Sequence, residues 1–238
     1  MIRLDKFLCE MEIGTRSQVK EMIKKGMVSV NGEVVKKADY KFDEVTAKVC
    51  VKEKEISYQK FFYYMLNKPA GVVSATTDKQ DRTVLDLLKD AKGKDLFPVG
   101  RLDKDTEGLL LITNDGELSH NLLSPKKHVE KTYLVKTAET VTTDMLQLLE
   151  KGVDIGEEKL TLPAKVKVLE DREIELTITE GKFHQVKRML KAVGNEVIYL
   201  KRLSMGGLIL DDTLKLGEYR SLTETEIKYV TEQKSSDF

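Results

Sequence analysis

The chain of 238 residues lacks the features that announce several whole classes of protein. Its longest apolar runs, such as Gly108 to Ile112, fall far short of the roughly 20 residues that a membrane-spanning helix needs. The first residues, Met1-Ile-Arg-Leu-Asp-Lys-Phe-Leu8, contain neither the long apolar stretch nor the small-residue cleavage site of a signal peptide, so a cytoplasmic address is expected. Cysteine is scarce. Cys9 and Cys50 sit beside apolar residues, and no Cys, His or carboxylate cluster has metal-ligand spacing, so the sequence predicts reduced thiols and offers no metal centre. Internal repeats and low-complexity segments are missing too.

An excess of one charge is also absent: 40 Lys and Arg face 40 Asp and Glu, and no overall basic character announces a polyanionic partner. The distribution is less even. Residues 1–60 carry thirteen basic and ten acidic side chains, and Lys182 to Arg202 carry six basic and one acidic, which leaves two local positive regions in a neutral chain. With 40% hydrophobic and 34% charged residues the composition is that of a soluble globular protein. At about 150 residues per domain, the length fits one large domain or two unequal ones.

Residues 1 to about 56 read as two short helices and a small sheet. Leu4, Phe7 and Leu8 make one apolar helical stripe. In the next helix Thr15 and Gln18 have the form of a capping box and Gly26 supplies the stop. Val19, Met22 and Ile23 line one face of that helix, and Arg16, Lys20 and Lys24 line another. Met27 to Val30 alternate as a strand, Asn31-Gly32 signals a type I′ hairpin into Val34-Val35, and Val45 to Val51 suggest a further strand. The charged stretch Lys52 to Lys60 reads as a linker, with the domain boundary near residue 58, giving domains 1–58 and 59–238. In the second domain strands are predicted at 61–66, 108–113, 132–137, 164–169, 173–179 and 196–203, and helices at 83–89, 117–123, 143–151 and 183–193. This is an α+β domain with a mixed, mainly antiparallel sheet flanked by helices. Gln233 to Phe238 read as a frayed tail.

The densest polar constellation runs from Phe97 to Gly116 and holds Arg101, Asp103, Lys104, Asp105 and Glu107 just before an apolar strand. In an extended segment Arg101 and Asp103 share a face, and a nearby guanidinium keeps a carboxylate ionised, available as nucleophile or base. Turn and capping carboxylates are the bland alternative, and spacing alone does not choose between Asp103 and Asp105. His120 and His128 have no partners at ligand spacing.

The segment Gly100-Arg-Leu-Asp-Lys-Asp-Thr-Glu-Gly-Leu109 resembles the signature of RNA pseudouridine synthases, in which the aspartate after Arg-Leu is essential; here that is Asp103. Asn67-Lys-Pro-Ala-Gly71, Thr83-Val-Leu-Asp-Leu-Leu88, Lys131-Thr-Tyr133 and Glu180-Gly-Lys-Phe-His-Gln-Val-Lys-Arg-Met-Leu190 resemble the branch typified by RsuA, which acts on small-subunit ribosomal RNA. Arg3-Leu-Asp-Lys-Phe-Leu8, Thr15-Arg-Ser17 and Val30-Asn-Gly32 resemble the S4 RNA-binding domain. The resemblance implies isomerisation of a uridine in ribosomal RNA, most directly 16S RNA, with no cofactor and no metal, by a monomer. The target base leaves its stack and needs an aromatic platform and phosphate clamps.

Asp103, Tyr133 and Lys187 are thus the implied catalytic residues, Tyr133 as platform and proton acceptor and Lys187 as partner of the carboxylate, with its neighbour Arg188 as the alternative partner. Arg3, Arg16, Lys20, Lys24, Arg101, His184 and Arg188 are the expected RNA contacts. Attack at C1′ or C6 and deprotonation at C2′ all stay open. So do two other readings: a large-subunit (23S) RNA target, or a non-catalytic RNA-binding protein of ribosome assembly, which loss of Asp103 or Tyr133 would have favoured.

Overall fold

The structure of the protein is a computed structural model that describes residues 1–232; the predicted frayed tail, Gln233 to Phe238, lies outside them. Two compact units are present, one made of residues 1–62 with 92–95, the other of 63–91 and the described chain from 96 onward. Among the described residues no helix is long and apolar enough to cross a membrane.

The smaller unit follows the order β1 (Ile2–Arg3), α1 (Leu4–Glu10), α2 (Arg16–Lys24), β2 (Val28–Val30), β3 (Glu33–Val34), β4 (Lys41–Phe42), β5 (Val49–Val51), β6 (Lys54–Ile56). The predicted apolar stripes close its core: Leu4, Phe7, Leu8, Val19 and Ile23 from the helices meet Val28, Val30, Phe42 and Val49 from the strands. The capping box forms as expected, with Thr15 N donating to Gln18 Oε1 at 2.9 Å and Gln18 N to Thr15 Oγ1 at 3.4 Å. Asn31 and Gly32 both take positive φ, 51° and 86°, as a type I′ turn demands.

The predicted linker needs correction. Lys54–Ile56 forms β6 and pairs with β5 in the sheet order β3-β2-β5-β6, and Tyr58 stacks on Phe7 with 5.7 Å between ring centroids. Two features hide this strand in the sequence. It is an edge strand with mostly exposed, charged side chains, and its turn is built by Lys52 and Glu53 at φ 49° and 67° without the usual glycine or asparagine.

The larger unit contains β7 (Tyr63–Lys68), β8 (Phe97–Pro98), β9 (Glu107–Thr113), α3 (Gly116–Leu123), β10 (Lys131–Thr137), α4 (Thr143–Lys151), β11 (Lys165–Glu170), β12 (Glu173–Ile178), α5 (Gln185–Ala192), β13 (Val197–Met205), β14 (Leu208–Ile209), β15 (Tyr219–Ser221) and α6 (Glu224–Glu232). The sheet runs β11-β12-β10-β13-β9-β7-β15, with β8 on β9 and β14 on β13. Only the β9–β13 pairing is parallel, so the sheet is mixed and mainly antiparallel. Leu109 to Ile112 of β9 are fully buried on both faces, which makes β9 the spine of the unit. In β12 the alternation reads as expected, Ile174, Leu176 and Ile178 buried against half-covered Glu173, Glu175 and Thr177.

The helix predicted at 83–89 is replaced by a loop with one 3₁₀ turn at Leu85–Leu87. Its first polar groups are used locally: Thr83 N and Oγ1 both donate to Asp86 Oδ2, at 2.7 and 3.1 Å, and Val84 N donates to Val73 O at 3.0 Å. Val84 and Leu88 are buried nonetheless, so the apolar spacing reported burial and not a helix. The predicted helix at 183–193 begins only at Gln185, because His184 takes a left-handed conformation, φ 48° and ψ 34°.

At the parallel crossing Arg202 stands opposite Gly108, whose φ is +100°. A Cβ there would lie 2.7 Å from Arg202 N and closer still to its carbonyl oxygen. Gly108→Ala is therefore expected to destabilise the protein by more than about 3 kcal/mol in denaturant unfolding. Gly116→Ala, where a Cβ meets nothing within 4 Å, should change stability by less than about 1 kcal/mol.

Candidate active site

Asp103 lies in the loop entering β9, and the backbone of that loop is held by side chains from an earlier segment. Lys68, at the end of β7, is 0% exposed. Its ammonium donates to Thr106 O at 2.8 Å, Pro69 O and Asp103 O at 3.0 Å, and Lys104 O at 3.4 Å. Ser74 Oγ donates to Leu102 O at 2.9 Å and accepts from Leu102 N at 3.0 Å, and Gly71 N donates to Lys104 O at 2.7 Å. A buried cation is costly unless its donors are satisfied, and here carbonyl dipoles do most of that work. Burial still pushes the Lys68 ammonium down to about 8, against the pull of Asp105, Asp103 and Glu107.

The side chains of the loop meet α5. Lys187 Nζ sits 3.0 Å from Asp103 Oδ2 and 2.6 Å from Asp105 Oδ1. Burial disfavours its charge, but hydrogen bonds to Asp105 and Asp103 outweigh that and hold the ammonium above its ordinary value. The same hydrogen bond keeps the Asp105 carboxyl below the usual carboxylate range. The Asp103 side chain is 25% exposed and that of Asp105 72%. His184 Nε2 stands 3.4 Å from Asp103 Oδ1. One carboxylate is thus oriented from two sides yet open to a reactant, while its neighbour is a solvated counter-charge.

Arg188 does not join this group. Its guanidinium donates to Glu157 Oε1 at 2.8 Å, to Phe183 O at 3.0 Å and to Ile155 O, tying the 155–157 loop to the start of α5. Arg101 is exposed and makes no side-chain hydrogen bond or ion pair among the described residues, so the guanidinium partner expected for Asp103 is replaced by the Lys187 ammonium. Tyr133 is buried on β10, opposite Arg202 of β13, and its hydroxyl makes no hydrogen bond to another described residue. In the smaller unit Arg16, Lys20 and Lys24 are exposed on α2, whereas Arg3 forks onto Asp5 at 3.0 and 2.8 Å. A depression of about 460 Å³ lined by Lys127, His128, Thr132, Ser204 and Ile209 includes none of the Asp103 group. Thr132 points to the face of β10 opposite Tyr133.

Lys68 and Ser74 lie in the segment Asn67-Lys-Pro-Ala-Gly71 with Val72-Val-Ser74 that carries part of the family resemblance, but sequence reasoning assigned neither a role, because the acceptors of Lys68 are backbone carbonyls, which no side-chain pattern records.

Residues 62–192 match the RNA pseudouridylate synthase family, and residues 2–44 match the S4 domain. The chain belongs to the RNA pseudouridylate synthase family. An uncharacterized RNA pseudouridine synthase of Bacillus subtilis, YtzG, is 49% identical over 97% of this chain and 99% of its own. The ribosomal small subunit pseudouridine synthase A of Vibrio cholerae is 45% identical over 95% and 98%. A crystal structure of a pseudouridylate synthase, 39% identical, covers 97% of this chain and 100% of its own with a TM-score of 0.68.

In this synthase the buried ammonium gives a pH signature. Its folded pKa, about 8, lies below that of an unfolded lysine. Between those values the unfolded chain binds more protons, so the group makes stability rise with pH. Lys68→Met takes a donor from four carbonyls, of which Lys104 O keeps Gly71 N and Asp103 O keeps Thr106 N, and should cost about 1–3 kcal/mol near pH 7. The difference from wild type should widen by roughly 1–3 kcal/mol from pH 8 to 10.5, because only wild type carries the Lys68 contribution while the buried Lys131 raises both alike. Denaturant midpoints across that range check it; a constant difference would mean that the ammonium is not desolvated.

Proposed function

We propose that this synthase isomerises one uridine of small-subunit, 16S, ribosomal RNA, with Asp103 as the catalytic carboxylate. The observation that carries the reading is the Asp103 side chain, gripped by Lys187 and His184 but partly open to solvent. Support for the substrate comes from relatives named as small-subunit synthases that match nearly the whole chain. The reaction breaks the N1–C1′ bond, turns the uracil and joins C1′ to C5; C5 loses a proton and N1 gains one. It needs no oxidant, reductant or cofactor. Lys187 orients Asp103 and offsets its charge. Tyr133 supplies a flat face to the extruded uracil and an unengaged hydroxyl that can accept or pass a proton.

Residues 1–58 act as the RNA-docking domain and 59–238 as the catalytic domain, in a monomer working in the cytoplasm. Arg16, Lys20 and Lys24 meet phosphates through the exposed face of α2, Arg101 and His184 line the approach to Asp103, and Arg188 reaches RNA only by sharing its guanidinium with Glu157. Arg3 reaches RNA only by sharing its guanidinium with Asp5.

Asp103→Asn keeps the size and polarity of the side chain but removes the carboxylate. It should abolish pseudouridine formation in small-subunit RNA while leaving RNA affinity within a few-fold. Turnover near wild type would remove Asp103 from the chemistry. Tyr133→Phe keeps the ring; full activity would leave the hydroxyl without a chemical role.

Changing Arg16, Lys20 and Lys24 together to Gln should weaken RNA binding. The slope of log affinity against log salt should become shallower by roughly 0.7–0.9 for each phosphate that the variant no longer neutralises. An unchanged slope in a filter-binding salt series would show that the α2 face does not touch phosphate.

A further inference from the structure

Beside the Asp103 group stands an aromatic ring that the chemistry above does not use. Phe183 is 71% exposed. A phenylalanine in water contributes little to folding and forgoes the roughly 1.5–3 kcal/mol that its burial would supply. The ring is nevertheless held in a defined place. It stacks on the imidazole of His184, with centroids 3.8 Å apart and planes 18° from parallel. Stacking of adjacent residues depends on the backbone between them, and His184 takes the left-handed conformation, φ 48°, which is uncommon for a residue with a Cβ. Arg188 fixes the segment from beneath by donating to Phe183 O at 3.0 Å. The edge of the same imidazole leads directly to the chemistry, since His184 Nε2 lies 3.4 Å from Asp103 Oδ1.

The surroundings state what such a ring can receive. Lys182, Lys187 and Arg188 flank it in the sequence but are already paired with Glu180, with Asp103 and Asp105, and with Glu157; Arg101, exposed and without a partner among the described residues, stands two residues from Asp103. A flat apolar face beside a carboxylate that acts on a nucleotide, with the exposed Arg101 guanidinium in the same loop as that carboxylate, suits a nucleobase with a phosphate for the guanidinium to neutralise. An aliphatic or acidic partner would use only one of these two features.

We propose that Phe183 is a stacking platform for an unpaired base flanking the target uridine, holding the splayed strand while the target itself occupies the site at Asp103 and Tyr133. The platform rests on the uridine-isomerase reading given above. His184 is the second layer of the stack and transmits the position of the flanking base to Asp103. The strained turn is thereby explained as the device that presents the ring.

The chain contains no tryptophan, so Phe183→Trp introduces a single fluorophore at the proposed contact while keeping a stacking face. Wild type is first incubated with small-subunit ribosomal RNA and pseudouridine is scored; its absence overturns the isomerase reading and the platform with it. With product established, titrating the full-length Phe183→Trp protein with the same RNA should quench its emission saturably, at the concentrations where filter binding reports the complex. Phe183→Leu keeps the exposed apolar volume without the π face. It should raise the RNA concentration for half-maximal single-turnover rate roughly 5- to 150-fold, the range for removal of one base stack, and Phe183→Tyr should restore it. Unquenched emission in a formed complex, or Phe183→Leu saturating like wild type, would overturn the platform and leave the isomerase reading standing.

Discussion

The larger unit depends on the close parallel approach of β9 and β13 at Gly108 and Arg202. Every other ladder in that sheet is antiparallel, and antiparallel strands can be joined by short turns. A parallel pair instead brings the segments that enter both strands to the same edge of the sheet. The loop holding Asp103 enters β9 and α5 precedes β13, so the loop carboxylates and Lys187 meet although more than eighty residues separate them. Glycine at 108 is what lets the two backbones approach. Tyr133 follows from the same arrangement, because β10 pairs with the other edge of β13 and places it opposite Arg202.

Electrostatics then decides how the loop is held. Lys68, Lys131 and Arg202 are cations inside the unit, and the hydrogen bonds they make go to backbone carbonyls: Lys131 Nζ to Val129 O at 2.7 Å, Arg202 Nε to Leu109 O at 2.8 Å, and Lys68 to the loop itself, while Arg202 Nη2 is buried without a partner among the described residues. Burial pushes Lys131, like Lys68, down to about 8. Carboxylates are left for the surface of the site. A carbonyl cradle fixes the backbone of the Asp103 loop without occupying its side chains, and the Asp103 and Asp105 carboxylates stay available to Lys187 and to a reactant.

Much of this was legible in the sequence, and the failures have physical causes. The alternation of β12, the helices at 143–151 and 116–123, and the capping box at Thr15 follow from short-range periodicity and local hydrogen bonds. The two- and three-residue strands at 2–3, 41–42, 97–98, 208–209 and 219–221 were not, because only distant partners make them strands. Residues 83–89 misled because an irregular loop can bury Val84 and Leu88 as well as a helix can. At the site, the Arg101–Asp103 pairing suggested by alternation gave way to Lys187, a partner that only the family resemblance had offered, because its position depends on the crossing of β9 and β13. The choice of Asp103 over Asp105 came from family resemblance and never from spacing.

The central claim is that a carboxylate positioned by this crossing converts one uridine of small-subunit ribosomal RNA. Its most direct test is a map of pseudouridines in that RNA from cells lacking the protein, compared with the same cells supplied with wild type or with Asp103→Asn. One pseudouridine should disappear with the protein, return with wild type, and stay absent with Asp103→Asn. An unchanged small-subunit map, or its restoration by Asp103→Asn, would contradict the claim.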